Sequence, residues 1–511
     1  DVRLRRGRHV YSWNGHTDDG PIAPNGVYRL RVTLRNQARS VTAARRLTLD
    51  TVPPHPRVLA VTPSEILPGA PGTDGRARVR YRGSSNPNPL VRVYRTDLPK
   101  PKEITVFQGP RFRKTVKWYG TYGNVPGGTP VPDGVYRITI TTFDRAGNGG
   151  SAPALLPPRR FEAKPHTGVS VRYLTLRGSL DPVDAGSSVR FQVGPTPRRL
   201  RWTLGPAGPG SPIAHGSGRG GQLQVRVPSD ARTGLYLLRV QAAGHRAAQP
   251  VVVQGAHGGK VLVVLPAIAW QGGNQWDDDG DGFANTLTGG ESAAVERPFA
   301  HGLPPAGLKD KIDPLLRFLG RERVNYDITT DLALAQGRGP EIAGHTGVMF
   351  VGDETWLTNK LDLALRDYVE KGGRVASFGT DAFRRRVGLA VSDLVDPTAP
   401  ERFNVFGEQT GEVGIEDAPM VVNPPDTLGL FRSASDGIFG TFDQFEQSQR
   451  LVGGTKILSS AGRDPKHPAF VAYRLGGGIV VRVGTPQWGQ KLAGSLELTD
   501  ITRRVWSLLS R

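Results

Sequence analysis

The chain of 511 residues contains no cysteine, only two methionines and no apolar run long enough to span a bilayer. The absence of cysteine excludes disulfides, cysteine-type zinc sites and cysteine nucleophiles. Lysine is also scarce, with 13 lysines among the 66 basic residues, and this arginine bias is typical of a GC-rich bacterial genome. The 66 glycines and 42 prolines suit a turn-rich, β-heavy protein. The length predicts roughly three or four domains.

Negative charge is scarce in the first half of the chain. Residues 1–260 hold 40 Lys and Arg against 14 Asp and Glu, a net charge of +26, whereas residues 261–511 hold 26 against 32, a net charge of −6. One interpretation is a solvated basic surface, and the other is contact with a polyanion such as an anionic cell-wall polymer. We find no helix-turn-helix, zinc-finger or RNP-type motif in the sequence, so sequence-specific binding of nucleic acid is not predicted.

One short pattern recurs three times in the basic half. The copies begin at Gly26, Gly134 and Gly234, and each has the order Gly, a β-branched or apolar residue, Tyr, then alternating residues as in a strand. The separations of 108 and 100 residues are each the size of one β-sandwich. A tyrosine at the start of such a strand predicts a tyrosine corner, in which the hydroxyl returns to the backbone.

The first two copies share further motifs. Trp13-Asn14-Gly15 precedes the first and Trp118-Tyr119-Gly120 precedes the second, which ends in the D-x-A-G-N sequence of residues 144–148. This order resembles the Ig-like module of flagellar hook-capping proteins and secreted subtilases. The resemblance implies a spacer or adhesion module without catalysis, in a protein that is secreted or held at the cell surface.

These signals divide the chain into β modules followed by one other domain. The chain starts at Asp1 with neither a methionine nor a signal peptide, and we expect residues 1–12 to be the end of a longer segment. We predict a partial Ig-like module over 1–52, an Ig-like sandwich over 53–163, a further β-sandwich over 164–254 and, after a glycine-rich hinge at 255–259, an α/β domain over 255–511.

From residue 260 onwards the hydrophobic periodicity changes. Val261–Leu265 is a continuous apolar run, which is typical of a strand buried on both faces of a parallel sheet. Further strands are predicted near 324–328, 347–352, 374–378, 469–475 and 479–484. Between them, apolar residues at helical spacing predict amphipathic helices near 312–319 and, capped by Thr358, near 361–369. This alternation predicts a doubly wound parallel sheet with an insertion near 383–450.

Four loops follow the ends of these strands, where open α/β sheets bind their ligands. The loops combine carboxylates, tryptophans and amides, which is the composition of a pocket for a polar ligand such as a sugar. The predicted ligand-binding residues are Trp270, Gln271, Asn274, Asp353, Trp356, Gln487 and Trp488. The alternative is that the tryptophans pack the end of the domain and the carboxylates cap helices.

Glu354 and Asp381 are the predicted catalytic residues. We expect them to face each other across the cleft from neighbouring strand ends, with Trp270 and Trp488 as its walls. Two carboxylates held close repel each other, so one should have a raised pKa. If one of the arginines at 384–386 intervenes instead, the carboxylates form a structural ion-pair cluster and no catalytic pair exists.

Residues 277–285 carry three aspartates at alternate positions. Asp277, Asp279 and Asp281, followed by Gly282, match the D-x-D-x-D-G start of a calcium loop, to which Phe283 would add a main-chain carbonyl and Asn285 a side-chain oxygen. Hard oxygen ligands at this spacing predict a structural Ca²⁺ site. The alternative is a solvated acidic turn.

Five motifs in order resemble a known family over residues 260–511. They are W-Q-x-x-N from Trp270, E-R-P-F from Glu296, V-G-D-E-x-W from Val351, G-G-R-V-A-S-F-G from Gly372 and V-G-T-x-x-W from Val483. This order resembles the C-terminal domain of the N,N-dimethylformamidase large (beta) subunit. That domain is similar in fold to class I glutamine amidotransferases, so an amidotransferase-like fold is implied.

The resemblance also implies an iron held by two tyrosines and one glutamate, and there the sequence departs from the pattern. Glu354 keeps the glutamate position, but Gly273 and Phe299 stand where the tyrosines would be. One carboxylate is a poor site for a transition metal, so iron and zinc are not predicted. Amidotransferase chemistry is excluded because the chain has no cysteine for the strand-to-helix turn. Thr355 is the hydroxyl residue nearest that position in the sequence.

Two hypotheses follow from these observations. In the first, Ig-like spacers present a calcium-stabilised, non-hydrolytic amidotransferase-like domain that binds a polar ligand such as a carbohydrate. In the second, the chain is a metal-dependent hydrolase of amide-like C–N bonds related to dimethylformamidase. Bound calcium alone would favour the first hypothesis, and bound iron or zinc the second.

Overall fold

A computed structural model describes residues 7–70, 75–156, 166–195, 199–255 and 257–511. Within these ranges the chain forms β modules followed by one mixed α/β domain, as predicted. Three predicted features lie partly or wholly outside the described residues: the start of the segment 1–12, the module boundary at 163/164, and Ala256 of the hinge. No helix of the described ranges is both long and apolar enough to cross a membrane.

The first module consists of one antiparallel hairpin. Its two strands pair along their length with an irregularity between Arg29 and Arg31. The strands are β1 (Gly26–Leu34) and β2 (Arg39–Leu49), joined by a 3-10 turn at Arg35–Gln37.

The second module is a sandwich of two sheets around an apolar core. Its strands are β3 (Arg57–Thr62), β4 (Glu65–Ile66), β5 (Ala77–Arg82), β6 (Leu90–Arg95), β7 (Lys102–Gln108), β8 (Thr115–Trp118), β9 (Gly134–Phe143), β10 (Gly149–Ala152) and β11 (Gly168–Val171). One sheet has the order β3-β5-β8, and the other has the order β4-β11-β9-β6-β7 with β10 paired to β9. Strand β11, which follows the predicted boundary, therefore pairs with strands that precede it.

The third module is also built from two sheets. Its strands are β12 (Thr175–Arg177), β13 (Val183–Asp184), β14 (Ser188–Gly194), β15 (Leu200–Pro206), β16 (Ala214–Gly218), β17 (Gly221–Arg226), β18 (Gly234–Ala242) and β19 (His245–Gln254). The sheet orders are β12-β14-β17 and β13-β19-β18-β15-β16.

The three repeated tyrosines form the same local structure. The hydroxyls of Tyr28, Tyr136 and Tyr236 each donate to the carbonyl oxygen four residues upstream, at 2.5, 2.7 and 3.0 Å. The repeat also pairs aromatic rings, because Trp13 lies 4.9 Å from Tyr28 and Trp118 lies 5.2 Å from Tyr136 between ring centroids. The predicted tyrosine corners are therefore present in all three modules.

Replacing Tyr136 by phenylalanine is expected to lower the unfolding free energy of the second module by about 1–3 kcal/mol. The Tyr136 side chain is fully buried and its bond to the Pro132 carbonyl is partly buried, so loss of the hydroxyl leaves that carbonyl without its protein partner. Tyr28→Phe is the matched control, because Tyr28 makes the same bond from a partly exposed position. Calorimetric melting of both variants checks this, and equal losses would contradict the role of burial.

The α/β domain contains fourteen strands among the described residues. They are β20 (Val261–Leu265), β21 (Ala293–Ala294), β22 (Asp327–Thr330), β23 (Gly347–Phe350), β24 (Trp356–Leu357), β25 (Arg374–Ser377), β26 (Arg385–Arg386), β27 (Gly388–Leu389), β28 (Asp393–Val395), β29 (Glu408–Asn423), β30 (Ile438–Leu451), β31 (Lys456–Ala461), β32 (Phe470–Leu475) and β33 (Gly478–Val483).

Six α-helices accompany these strands. They are α1 (Ala267–Gly272), α2 (Asp313–Glu322), α3 (Asp331–Gln336), α4 (Asn359–Glu370), α5 (Trp488–Leu492) and α6 (Leu496–Leu509). A π-helical turn, Leu308–Ile312, leads into α2. The predicted helix cap is present, because the Thr358 hydroxyl accepts the Leu361 N–H at 3.3 Å.

Nine of the strands form one sheet with a parallel half and an antiparallel half. The order is β22-β20-β23-β25-β33-β32-β31-β29-β30, and the first five strands are parallel. Successive residues of β20 point to opposite faces, and all five are fully buried. Val261, Val263 and Leu265 pack with α2 and α6 on one face, and Leu262 and Val264 pack with α4 on the other. Helices therefore cover both faces of the parallel half, as a doubly wound sheet requires.

The predicted insertion near 383–450 includes a long hairpin that extends the same sheet. Strands β29 and β30 pair with each other, and β29 joins β31 at Val422 and Asn423. The connections here are antiparallel and contain no crossover helix, so the segment does not form a βα unit.

Candidate functional site

A cleft of about 680 Å³ opens at one edge of the parallel sheet. Numbered by their order in the chain, the five parallel strands lie in the sequence 2-1-3-4-5, in which β20 is first and β23 third. In sheets of this order, ligands bind at the carboxyl ends of the strands between the first and third strands, where the winding direction reverses. The cleft lies there, and we call it the switch-point cleft. It is lined by residues from the loops after β20, β23 and β25 and from residues 299–307.

The loop after β20 supplies Trp270 and Asn274 to the cleft. The side-chain oxygen of Asn274 accepts the Ala300 N–H at 2.9 Å, and its amide donates to the Pro298 carbonyl at 2.9 Å. Asn274 therefore ties residues 298–300 to the loop. Gln271 is fully buried and donates to the Arg297 carbonyl at 3.1 Å, so it does not line the cleft.

Arg297 explains why the W-Q-x-x-N and E-R-P-F motifs occur together. Its guanidinium is almost fully buried and donates to the main-chain oxygens of Gln271, Asn274 and Asn285. It also forms an ion pair with Asp278 at 2.5 Å. The two motifs hold each other in place and so set the shape of the cleft wall.

Asp353 follows β23 and lines the cleft. One carboxylate oxygen accepts the main-chain N–H of Thr380 at 2.9 Å and its hydroxyl at 3.1 Å, and the other pairs with the ammonium group of Lys311. The carboxylate is about one-third exposed. Asp353 thus joins the loops after two neighbouring strands and remains accessible from the cleft.

Glu354, the next residue, points the other way. It has no exposed surface, and its oxygens meet no main-chain, amide, cationic or hydroxyl donor among the described residues. Its partner is the carboxyl group of Asp331, which also accepts the N–H groups of Ile268 at 3.0 Å and Leu332 at 2.7 Å. Two carboxyls form a hydrogen bond only when one of them carries a proton. Glu354 and Asp331 are therefore a buried acid pair beneath the cleft.

Burial sets the protonation of this pair. Removal from water raises the pKa of Glu354 well above its ordinary value, and the neighbouring Asp331 raises it further. Burial also raises the pKa of Asp331 to about 7, although the N–H of Ile268 and the hydrogen bond with Glu354 oppose the rise. The pair holds at least one proton below neutral pH.

Asp381 lies in the cleft at the end of β25, in a left-handed backbone conformation with φ of 49°. Its N–H donates to the buried carboxylate of Glu446 at 2.9 Å, which holds the loop in this conformation. Its own carboxylate pairs with Arg385 at 3.2 Å and Arg384 at 3.5 Å. Burial raises the pKa of Asp381, while the two arginines oppose that shift.

The predicted catalytic pair is thus not formed. Asp381 lies in the cleft beside two arginines, whereas Glu354 is sealed beneath it beside Asp331. The arginines intervene as the sequence suggested they could, and Glu354 has an acidic partner that the sequence analysis did not consider.

Two of the three tryptophan and amide residues predicted in the loops after the later strands lie outside the cleft. Trp356 lines the cleft, with the Arg385 guanidinium 5.3 Å from its ring centroid. Trp488 does not line it, because its ring is buried in the core, stacked 6.0 Å from Phe442, with its N–H donated to Thr502. Gln487 bonds to Asp443 of the long hairpin and is likewise outside the cleft.

Two cationic or titratable residues of the cleft, His301 and Lys311, were not predicted from sequence, whereas Arg385 is one of the arginines considered there. His301 also reaches the second module, where its ring nitrogens lie 3.3 Å from Asp97 and 3.6 Å from Asp133. The only sequence signal for His301 was its nearness to the E-R-P-F motif, which it follows closely.

The residues at the family's iron-ligand positions do not fit an iron ion. Gly273 and Phe299 line the cleft but carry no ligand atom in their side chains, and Glu354 is turned away from it. Among the described residues, the only group of three or more His, Asp or Glu that could hold a metal is Asp277, Asp279 and Asp281.

These three aspartates are brought together, with ligand oxygens that all lie within 4.8 Å of one another. Asp277 accepts the N–H groups of Gly280 at 2.7 Å and Gly282 at 3.0 Å, which curl the loop around its carboxylate. Burial raises the pKa of Asp277 to about 7, and the charges of Asp281 and Asp279 add to the rise. A divalent cation at this point would offset that repulsion.

The two other predicted calcium ligands stabilise the loop in different ways. The side-chain oxygen of Asn285 accepts the Asp278 N–H at 2.7 Å, and its amide donates to Asp279 at 3.3 Å. The ring of Phe283 lies 4.8 Å from the guanidinium of Arg137 in the second module.

Residues 277–285, which we call the acidic loop, also form the contact between the second module and the α/β domain. Gly168 donates its N–H to the Gly280 carbonyl at 2.8 Å, Thr96 donates to Gly282 at 2.6 Å, and Arg137 donates to Asp281 at 2.6 Å. A side chain at Gly168 would collide with the backbone of Gly282. The shape of the loop therefore sets how the two domains meet.

Comparison with known proteins supports the resemblance drawn from the motifs. Residues 221–410 match the family model described as N,N-dimethylformamidase beta subunit-like, C-terminal. This match spans the end of the third module and the α/β domain up to the start of β29. No curated protein matches the chain.

Solved structures give weaker likenesses. A beta-galactosidase from Rahnella sp. R3 has 15% identity, 38% coverage of this chain, 26% of its own and a TM-score of 0.27. An exo-beta-1,4-mannosidase from Opitutaceae bacterium strain TAV5 has 12% identity, coverages of 50% and 37% and a TM-score of 0.28. The four N-terminal Ig domains of Dscam1 isoform 6.9 have 13% identity, coverages of 45% and 54% and a TM-score of 0.14. The chain spans about a quarter of the galactosidase, and these scores support no conclusion.

Proposed function

We propose that the α/β domain binds a polar ligand such as a carbohydrate in the switch-point cleft and does not hydrolyse it. The observation that carries the proposal is the separation of the two predicted catalytic carboxylates, with Asp381 in the cleft and Glu354 sealed beneath it. A hydrolase that used both groups would need them on the same side of its substrate.

The chemistry of the cleft suits a ligand rich in hydroxyl groups. Two ion pairs, Lys311 with Asp353 and Arg385 with Asp381, lie among its lining residues, and Trp270 and Trp356 supply apolar surface. A hydroxyl both donates and accepts, so one sugar ring can bond to both members of such a pair. A few polar groups set against apolar walls are the usual composition of a small-molecule site.

Asp381→Asn is expected to weaken saccharide binding roughly 10- to 100-fold, because a hydrogen bond to a charged group contributes about 1.5–3 kcal/mol. The measurement is calorimetric titration with a panel of neutral oligosaccharides. The matched control is Asp367→Asn on α4, which removes the carboxylate of an exposed ion pair with Lys371. The proposal fails if no saccharide binds, or if both variants bind as the wild type does.

The family match favours a second candidate, a metal-dependent hydrolase of amide-like C–N bonds related to dimethylformamidase. Its support is the match over residues 221–410 together with Glu354 in the glutamate position of the resemblance. Metal analysis of the purified chain and an assay for hydrolysis of N,N-dimethylformamide separate the candidates. Stoichiometric iron or zinc with amide hydrolysis would favour the hydrolase, and calcium alone would favour the binding domain.

The remaining parts of the proposal concern the setting of this domain. We propose an amidotransferase-like fold, supported by the strand order, and a structural Ca²⁺ in the loop of Asp277, Asp279 and Asp281, supported by their spacing and proximity. The β modules would act as spacers of a secreted or cell-surface protein. Their net charge of +26 over residues 1–260 supports contact with an anionic cell-wall polymer.

A further inference from the structure

One face of the larger sheet of the third module is buried along the first half of β18 and exposed along the second half. On β18, Leu235 and Leu237 face the α/β domain and are buried in its core. The next two residues on the same face, Arg239 and Gln241, are exposed. One face of the sheet therefore passes from an apolar half that packs against α2 to a cationic half that is open to solvent.

The register of the sheet gathers three arginines on this open half. Arg201 of β15 lies opposite Gln241, which lies opposite Arg246 of β19, and Thr203 lies opposite Arg239. Residues directly opposite each other in antiparallel strands project to the same face. Arg201 and Arg246 are two strand spacings apart, roughly 10 Å.

The loop that contains Leu303 and Pro304 separates this sheet from the switch-point cleft. The open half of the sheet forms one wall of a groove of about 690 Å³ and this loop forms the opposite wall; we call it the basic groove. Leu303 and Pro304 line both the groove and the cleft, and Lys309 adds a fourth cation to the groove.

The cations of the basic groove outnumber the carboxylates near them. Among the described residues, none that lines it is acidic. In the same ranges, Arg201 and Arg246 have no ion-pair partner, and Arg239 donates only to the carbonyls of Pro206 and Ala207. The carboxylate of Asp313 lies beside one end, is held by the Gly208 N–H at 2.9 Å and interacts electrostatically with Arg239. Four cations beside one carboxylate leave the concavity with a net positive charge, which attracts anions.

We propose that the basic groove binds a linear anionic polysaccharide that carries carboxylate or sulfate groups. This inference rests on the proposed contact of the β modules with an anionic polymer and assigns that contact to one surface. The spacing of Arg201 and Arg246 suits charges on an extended polymer, and Gln241 and Thr203 offer hydrogen bonds to its hydroxyls.

The groove is less suited to nucleic acid. Proteins that bind single strands stack the bases on aromatic rings. Trp202 is the one aromatic residue among the described residues that line the groove, and its side chain alternates to the opposite face of the sheet, where it packs against the module core.

The test compares two double variants of the full chain with equal loss of charge. Arg201→Gln with Arg246→Gln alters the groove, and Arg190→Gln with Arg226→Gln alters exposed positions on β14 and β17 of the module's other sheet. The probes are polygalacturonate, dextran sulfate, neutral dextran and oligo(dT). With four cations engaged, wild-type affinity for the acidic polysaccharides is expected to fall roughly 50-fold or more between about 50 and 200 mM salt.

The groove variant removes two cations, so it should reduce the slope of log affinity against log salt concentration by about two. The control variant should leave binding to the groove unchanged.

If the wild type binds no acidic polymer at low salt, both this inference and the proposed polymer contact fail. If it binds and the two double variants behave alike, the groove is the wrong surface while the polymer contact stands. Oligo(dT) binding as tight as that of the polysaccharides, and equally sensitive to the groove variant, would overturn the choice of ligand. All substituted arginines are exposed, so unchanged melting temperatures are the check on folding.

Discussion

At pH 8, millimolar calcium is expected to raise the melting temperature of the α/β domain by about 5–10 °C over its value in EDTA. A ligand that binds only the native state stabilises it by roughly 2.7 kcal/mol at a hundredfold excess over Kd, and a domain of this size gains about 2–4 °C per kcal/mol. The physical reason is the clustering of Asp277, Asp279 and Asp281 within 4.8 Å, where burial and mutual repulsion raise the pKa of Asp277 to about 7. At pH 8 the empty loop holds closely spaced negative charges that the ion would neutralise.

Asp279→Asn separates calcium binding from other effects of the salt. The substitution keeps the size of the side chain but removes one charge and one hard ligand, so the calcium-dependent shift should largely disappear while the melting temperature in EDTA rises. Asp436→Asn, at an exposed position outside the loop, should retain the full shift. A wild-type melting temperature that is the same in EDTA and calcium would rule out the site. Because the loop also contacts Gly168 and Arg137, the second module is expected to share part of the stabilisation.

The features predicted correctly from sequence are those with local causes. The tyrosine corners join residues four positions apart, so the pattern around Tyr28, Tyr136 and Tyr236 contains the whole interaction. The buried strand Val261–Leu265 is likewise evident from its composition. The loops after β20, β23 and β25 could be placed at one edge because parallel strands end on the same side.

The features that could not be predicted depend on partners distant in sequence. Asp353 and Glu354 are adjacent carboxylates, yet one faces the cleft and the other the interior, because Asp331 at the end of β22 receives Glu354. Trp488 was expected to be a cleft wall, but Phe442 of the long hairpin packs against it. The hairpin was treated as an insertion without defined contacts, so its effect on Trp488 could not be anticipated.

The buried acid pair predicts a loss of stability as the pH rises. Burial raises the folded-state pKa of both Glu354 and Asp331, that of Asp331 from 3.8 to about 7. A carboxyl group with a raised pKa binds its proton more tightly in the folded state than in the unfolded state. The loss of unfolding free energy is therefore absent below about pH 4 and grows as the pH rises. For Asp331 it is complete above about pH 7. We expect the wild type to lose roughly 3 kcal/mol between pH 5 and pH 8 from the titration of Asp331, and Glu354 adds to that loss. Calcium should not restore that loss, because the pair lies outside the acidic loop.

Glu354→Gln is expected to remove the part of this pH dependence that comes from Glu354, leaving the part that burial gives to Asp331, and to make the protein more stable than the wild type at pH 8. The amide is close in size to the acid, and its N–H can donate to the Asp331 carboxylate at any pH, so the pair no longer needs a proton. Glu354→Ala should instead destabilise the domain at all pH values by about 2–4 kcal/mol, because it leaves a cavity in a fully buried position.

Denaturant unfolding in calcium at pH 5 and pH 8 measures both effects, with the exposed Glu341→Gln as the control. A structural role also predicts that Glu354→Gln keeps saccharide binding in the cleft, whereas a metal ligand or catalytic acid would lose its metal or activity with the charge. If Glu354→Gln is less stable than the wild type at pH 8, the shared proton is not what holds the pair together.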